Sequence, residues 1–318
     1  MKGLIFMLFL AGINKMEIEE QRRLLAQLQS FNSLAVIKES TTKGALKAKN
    51  WTAKQLTGLA KKAGKEDLQE RIQDIDEKSN WEVIEVQATI DKTMEEMQIL
   101  SEYEIRAYLK EDIAKLVGLS RTSSMEEISQ RYLENLAKQF KVKNWETLSP
   151  GELEKRLYQS CLEEQLDMIK EYVRKLSPED EGKVTELLQK EIEALSHGEQ
   201  EAMRRATGLD NLTGAALLTL IKTTSALAIA QALIASTGFG AYLFLSTMLK
   251  AISLLLGMSF AFGTYAGAST VMAFFVSFPF LVLFVVGGGG FLWWRTQSKL
   301  NDFMIKAVFM AGKARLVS

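Results

Sequence analysis

Up to residue 210, hydrophobic positions recur every three or four places, and charged residues lie between them. This spacing puts the hydrophobic side chains on one face of a helix and leaves the opposite face to solvent. The longest such stripe predicts a buried helix face and comprises Leu153, Leu157, Cys161, Leu162, Leu166, Ile169 and Val173. Cys161 belongs to the stripe, so we expect it to be a buried, unreactive thiol.

Serines followed three places later by a glutamate mark where helices are predicted to begin. In such a capping box the serine oxygen accepts from the third helical amide, and the glutamate accepts from the serine amide. The pattern starts at Ser101, Ser124, Ser149 and Ser196, and Ser177-Pro178 is a variant with proline at the first helical position. Together with the stripes, it predicts helices near 16–40, 51–62, 66–76, 79–100, 102–117, 125–140, 150–175, 178–195 and 197–206.

From residue 211 to residue 294 the pattern changes, because only Lys222 and Lys250 carry a charge. The run 223–249 has 27 uncharged residues and the run 251–294 has 44. About 20 apolar residues cross the hydrocarbon core of a bilayer as a helix, so the longer run is sufficient for two crossings. Glycine and proline positions divide the segment into predicted helical pieces at about 212–236, 241–256, 259–277 and 280–294.

Small residues are frequent in this segment and are predicted to be its helix-packing positions. Gly238 and Gly240 precede the second piece, and Gly263 and Gly267 form a GxxxG pattern in the third. Helices in lipid associate by close approach of their backbones, which small residues permit. The segment is therefore predicted to be a membrane module.

The flanks of the segment also indicate contact with a membrane. Trp293 and Trp294, followed by Arg295, form an aromatic and cationic edge typical of the headgroup level. Residues 295–318 have five basic side chains and one acidic one, a net charge of +4, and are predicted to be a basic amphipathic tail that lies on an anionic surface.

The charge on either side of the module predicts its orientation. Residues 1–210 have 32 basic and 38 acidic side chains, a net charge of −6. Arg204 and Arg205 precede the module and Arg295 follows it. By the positive-inside rule both flanks are cytoplasmic, so the number of crossings is even, and two is the preferred count.

A lysine inside an apolar segment needs a partner, water or a route to the headgroups. If the piece containing Lys222 crosses the bilayer, this side chain requires a cavity or a partner. If the piece lies at the surface or against protein, Lys222 is accommodated there, and this is the preferred interpretation. Lys250 is expected to extend to the headgroups from a helix end. A water-lined pore is the alternative for both.

The first residues admit three interpretations. Met1 to Gly12 has a charged start and a short apolar core, but no clear cleavage site follows, and Met16 heads a strongly helical stretch. The segment is a short anchor, an upstream extension of the reading frame or a signal peptide.

The predicted organisation is residues 1–15 as apolar leader or mis-assigned start, 16–210 as cytoplasmic helical domain, 211–294 as membrane module and 295–318 as tail. The predicted fold class is all-α, a charged multi-helix body followed by a glycine-rich apolar module that forms a membrane hairpin.

Residues 177–286 contain six stretches that together suggest a known family: Ser177 to Ile192, Leu212 to Leu218, Gly238 to Tyr242, Leu256-Gly257, Phe262 to Tyr265 and Ala268 to Ala273. In these stretches the chain resembles the bacterial YaaW-like group, whose members are often labelled ubiquinol-cytochrome c chaperone family. The resemblance implies a helical body followed by a glycine-rich apolar module in a bacterial protein, and no established catalytic residues. The chain has Phe278-Pro279 where that group tends to have a Gly-Pro step, and its last apolar run is longer.

Few residues suggest chemistry. One cysteine and one histidine exclude an internal disulfide and a conventional Cys/His zinc site. His197 lies inside a capping box, which predicts an exposed residue at a helix start rather than a catalytic base. Gly287 to Gly290 lacks the Lys-Ser/Thr of a phosphate loop and is predicted to be a hinge. We expect no cofactor, no metal, no small-molecule substrate and, because the charges of the body are mixed, no nucleic acid.

The sequence therefore predicts a non-catalytic protein of the bacterial inner membrane. A helical hairpin anchors it in the lipid bilayer, and its cytoplasmic body binds a protein partner or a second copy of the chain. The main alternative is a membrane-perturbing, pore-forming effector, similar in plan to colicin-type proteins whose apolar hairpin is buried until it inserts. The third is a soluble chaperone or assembly factor, in which the apolar module is a protein core.

Overall fold

The computed structural model describes residues 8–40, 92–235, 239–255 and 297–317. Within these ranges every regular element is a helix, so the described fold is all-α. Short 3₁₀ turns lie at Met97–Ile99 and Trp145–Thr147. The α-helices are α1 Leu8–Lys15, α2 Ile18–Ser40, α3 Glu102–Leu116, α4 Met125–Gln139, α5 Pro150–Arg174, α6 Pro178–Glu193, α7 His197–Thr207, α8 Gly214–Thr223, α9 Ala226–Ala235, α10 Phe239–Leu255 and α11 Gln297–Val317.

The helix starts follow the predicted caps. Complete capping boxes are present at Ser101, Ser124, Ser149 and Ser196, and the Ser177 side chain accepts from the Asp180 amide. The predicted helices at 51–62 and 66–76, and most of the one at 79–100, lie outside the described residues.

Helix α5 is the central helix of the structure and contacts helices of two groups. It has 25 residues, and at 1.5 Å per residue it is about 37 Å long. The hydrophobic stripe predicted for it is buried along its whole length, Cys161 included. Helices α4 and α11 contact α5, and so do α8 and α9. One helix therefore joins two groups of helices.

The terminal group consists of α1, α2, α3, α4 and α11. Helix α11 contacts the other four members as well as α5, and α2 packs against α3. Three apolar residues of α11, Phe303, Val308 and Phe309, are buried in this group. The C-terminal segment predicted to be a surface tail is thus a helix whose apolar residues lie in the protein core.

The second group consists of α6 to α10. Helices α8 and α10 pack against α6, α10 also packs against α7, and α9 packs against α5 and α7. In the first half of the apolar segment, residues 214–235 and 239–255 are therefore held against the charged helices that precede them.

The single helix predicted at 212–236 is wrong, because the chain forms two helices there, α8 and α9. Thr224 has extended backbone angles, φ −91° and ψ 143°, and Ser225 caps α9 by accepting from the Ala228 amide at 3.2 Å. Each helix has 10 residues, about 15 Å, which is half the thickness of a bilayer core.

None of the helices in the described ranges has both the length and the apolar character that a membrane crossing requires. The pieces predicted at 259–277 and 280–294 lie outside those ranges. The all-α prediction is confirmed for the part of the chain that the structure describes, and the hairpin stays a prediction.

Candidate functional site

Helices α5, α6 and α7 present a surface on which the apolar helices α8, α9 and α10 lie, and we call it the docking surface. It is the candidate functional site because it holds the segment that the sequence marks as unusual. Its centre is α6, whose buried stripe is Val184, Leu188 and Ile192.

Two glutamates flank the stripe of α6 and bind the two lysines of the apolar segment. The Lys222 ammonium lies 2.6 Å from Glu181, in the first turn of α6. Lys250 pairs with Glu191, in the last turn. The side chains of Lys222 and Glu181 are 35% and 37% exposed, so their pair contributes about 0–1 kcal/mol. Lys250 and Glu191 are more enclosed, at 29% and 15%.

Two glycines let the apolar helices touch the docking surface with their backbones. A Cβ atom on Gly214 would clash with the Thr185 carbonyl oxygen of α6, and one on Gly240 would clash with the Ala202 carbonyl oxygen of α7. The Gly214 amide also donates to the Gln189 side-chain oxygen at 3.0 Å. Close approach of this kind leaves no room for a larger side chain at either glycine.

Lys170 of α5 closes the docking surface at the break between α8 and α9. Its ammonium donates to the Thr224 carbonyl, one of the groups that the end of α8 leaves without a helical partner. The side chain is buried, and burial, with the nearby Arg174 charge, lowers the pKa of Lys170. Lys170 therefore fixes the position of the break.

The structure brings three of the predicted site residues to the docking surface, namely Lys222, Lys250 and Gly240. Lys222 is paired with Glu181 and Lys250 with Glu191. Gly240 serves close packing between helices within the protein. The other predicted residues lie outside the described residues: Gly238, Gly263, Gly267, Trp293, Trp294 and Arg295.

Sequence reasoning missed the partners of these residues. Glu181 and Glu191 lie at the two ends of an apolar stripe, which is a visible signal, but many glutamates of the body border such stripes. Lys170 also belongs to a largely apolar helix face. Neither pattern identifies which distant helix will be bound.

Cys161 and His197, the two residues that the sequence analysis considered for catalysis, are not among the side chains that hold the apolar helices. Burial raises the pKa of the Cys161 thiol well above its usual range, which keeps it protonated. His197 is exposed at the first position of α7. The described residues contain no group of three His, Cys, Asp or Glu side chains placed to hold a metal ion. What the arrangement does is hold apolar helices by shape and charge.

Comparison of the chain with protein-family models, with curated proteins and with solved structures finds no match. The resemblance of residues 177–286 to the YaaW-like group therefore stays a prediction.

Proposed function

We propose that the protein is a non-catalytic, membrane-associated helical protein of the bacterial inner membrane. In this proposal the uncharged stretch after α10 enters the bilayer as a helical hairpin, and the body and α11 remain cytoplasmic. The observation that carries the proposal is the contact between α10, which leads into that stretch, and α11, which follows it.

This contact limits how the stretch can cross a membrane. Residues 256–296 form a connection of 41 residues between two helices that belong to one body. A chain that leaves the body and returns to it must cross an even number of times. About 20 residues are needed for each crossing, so the length fits two. The positive-inside rule also favours an even number of crossings.

Exposed apolar side chains on the body support its proposed role as an interaction module. Two large apolar side chains near the start of α3, Ile99 and Tyr103, are 88% and 82% exposed. Exposed apolar side chains gain most when a partner covers them. We propose that a protein partner or a second copy of the chain binds there.

The docking surface favours one alternative function, that of a pore-forming effector. Helices α8 to α10 are apolar, yet they lie against α5, α6 and α7, with their two lysines paired to Glu181 and Glu191. An effector of this plan would release these helices into the bilayer, breaking both ion pairs. A collapse of membrane potential on expression that Lys222→Leu alters would support this alternative.

Extraction and labelling of membranes test the leading proposal. The full chain carries Cys161→Ala and a single new cysteine, Lys143→Cys in the body or Asn301→Cys in α11, and sealed vesicles of both orientations receive a membrane-impermeant maleimide. We expect resistance to carbonate and labelling of both positions from the cytoplasmic side only. Labelling from opposite sides contradicts an even number of crossings. Release by carbonate contradicts membrane insertion and favours a soluble chaperone or assembly factor.

A further inference from the structure

Helices α1 and α11 cross with their backbones in contact. A Cβ atom on Gly12 would clash with the Gly312 carbonyl oxygen, and one on Gly312 would clash with the Phe9 carbonyl oxygen. Both positions must therefore stay glycine for the helices to lie this close. The main packing partner of α1 is α11.

One buried carboxylate, that of Glu154 on α5, binds both helices. Its Oε1 accepts from the Phe9 amide at 2.9 Å, and its Oε2 accepts from the Lys313 ammonium at 3.1 Å. The Glu154 side chain is 4% exposed. An acidic group at a helix N-terminus satisfies a free amide and opposes the positive end of the helix dipole. Glu154 thus holds the start of α1 and the end of α11 on the same helix.

Aromatic contacts join α1 to the terminal group. The Phe9 ring lies 5.2 Å from the Tyr132 ring and 5.4 Å from the Phe309 ring, measured between centroids. Tyr132 belongs to α4, so Phe9 connects α1 with α4 and α11. Phe9 is fully buried.

Helix α1 depends on these contacts for its existence. It has eight residues, and an isolated helix of that length is unstable in water. If α11 leaves, α1 loses its backbone contact with Gly312 and its ring contact with Phe309. If α1 leaves, the glycine face of α11 is uncovered and Glu154 loses one of its two partners. The two helices are therefore expected to open as one unit.

The second group of helices contributes its own part of the common hydrophobic core. Val184, Leu188, Leu217, Ile221 and Met248 are buried among α6, α8 and α10. The two hydrogen bonds that hold α1 and α11 on Glu154 involve none of these residues. Local opening of one cooperative unit, with the remainder folded, is a general property of proteins.

We infer that α1 and α11 form a latch, a helix pair that closes on α5 through Glu154 and opens as a unit while α6 to α10 stay folded. The latch is defined by Gly12, Gly312, Phe9, Lys313 and Glu154. On the proposed function, it also holds the returning end of the membrane segment against the body. The latch itself does not depend on membrane insertion.

Cysteine labelling in the full chain tests the latch. In a Cys161→Ala background, Met310→Cys reports on α11, and Leu188→Cys reports on α6; both native side chains are buried. The latch is disturbed by Gly12→Val, which forces the crossing apart, or by Glu154→Gln, which removes the charge that Lys313 meets. Gly151→Ala is the matched control, since it lies in α5 one turn before Glu154 and its added Cβ meets no atom within 4 Å.

We expect both latch variants to raise the maleimide labelling rate at Met310→Cys at least about tenfold, because removing one partner of a buried ion pair is strongly destabilising. The rate at Leu188→Cys should change less than about twofold, as should both rates in Gly151→Ala. An equal rise at both reporters means that the pair does not open separately and overturns the inference. No rise at Met310→Cys in Glu154→Gln, the milder variant, overturns it as well. Carbonate extraction of the same membranes reports on insertion alone, so failure of the proposed function is recognised separately.

Discussion

The buried hydroxyl of Tyr132 is expected to lower the stability of the fold. Its side chain is fully buried, and its hydroxyl has no hydrogen-bond partner among the described residues. Burial also raises the pKa of this hydroxyl, so the group stays neutral. A buried donor without a partner costs about 1–3 kcal/mol relative to one that is satisfied.

We predict that Tyr132→Phe leaves the free energy of unfolding unchanged or raises it by about 1 kcal/mol, because the ring contacts remain and the unsatisfied hydroxyl is removed. Chemical denaturation measures the change. The comparison variant Tyr132→Ala, which removes the ring as well, should lower stability by about 3–5 kcal/mol. A loss greater than about 1 kcal/mol in Tyr132→Phe would mean that the hydroxyl has a partner after all.

Glu152 is one of the residues at which stability should respond to pH. The Ser149 hydroxyl, and then the Ser149 amide, donate to its carboxylate and lower its pKa from the usual 4.5. Because the folded pKa is the lower one, the stabilisation is complete above 4.5 and is lost as pH falls through the folded value. Denaturation between about pH 6 and pH 3 should show a steeper loss in the native chain than in Glu152→Gln. Equal slopes would contradict a role for this box.

At the scale of elements, the glycines of the docking surface decide how closely helices pack. Gly240→Val places side-chain atoms against the Ala202 carbonyl and the Ala206 methyl group. We predict a loss of about 1–3 kcal/mol, the usual effect of overpacking, measured by denaturation in detergent. Gly182→Ala in α6 is the control, since its Cβ meets no atom within 4 Å. It should raise stability by up to about 1 kcal/mol through helix propensity. The same sign in both variants would contradict a packing role for Gly240.

The starts of the helices were predictable from sequence because each depends on neighbouring residues. Ser149 and Glu152 form a complete cap within four positions. The break at Thr224 was missed because it involves Lys170, which lies 54 positions earlier. In the same way, the two lysines of the apolar segment were recognisable as charges that need partners. Their glutamates were not, since nothing local distinguishes them from the other acidic residues of the body.

For the whole molecule, the test is whether the body remains folded without the membrane segment. We predict that replacing residues 256–294 with about 20 Gly/Ser residues, whose mean reach is about 25 Å, gives a protein released without detergent. Its helices should stay packed, because α10 and α11 lie on the same body. The comparison variant, a chain ending at Leu255, lacks the buried helix α11 and should be markedly less stable to heat. Carbonate resistance of the linker variant would locate the membrane anchor elsewhere in the chain.

The ends of the chain were the part of the molecule least visible in the sequence. Local pattern marks residues 1–15 as a leader and residues 295–318 as a surface tail, since each stretch is apolar and basic. The structure pairs residues 8–15 with residues 297–317. Contacts between residues this far apart in sequence produce no local pattern of hydrophobic positions. The packing role of a glycine at position 12 or 312 can therefore be recognised only when the helix it contacts is known.

The crossing of Gly12 and Gly312 imposes an order on biosynthesis. About 300 residues separate these positions. At 5–20 residues per second, α1 emerges from the ribosome about 15–60 s before α11. For that time Phe9, Leu10 and Ile13 lack the helix that covers them, and an eight-residue helix does not form alone. Helix α1 is therefore made early and packed late, and its apolar side chains are open to other binding surfaces in the interval.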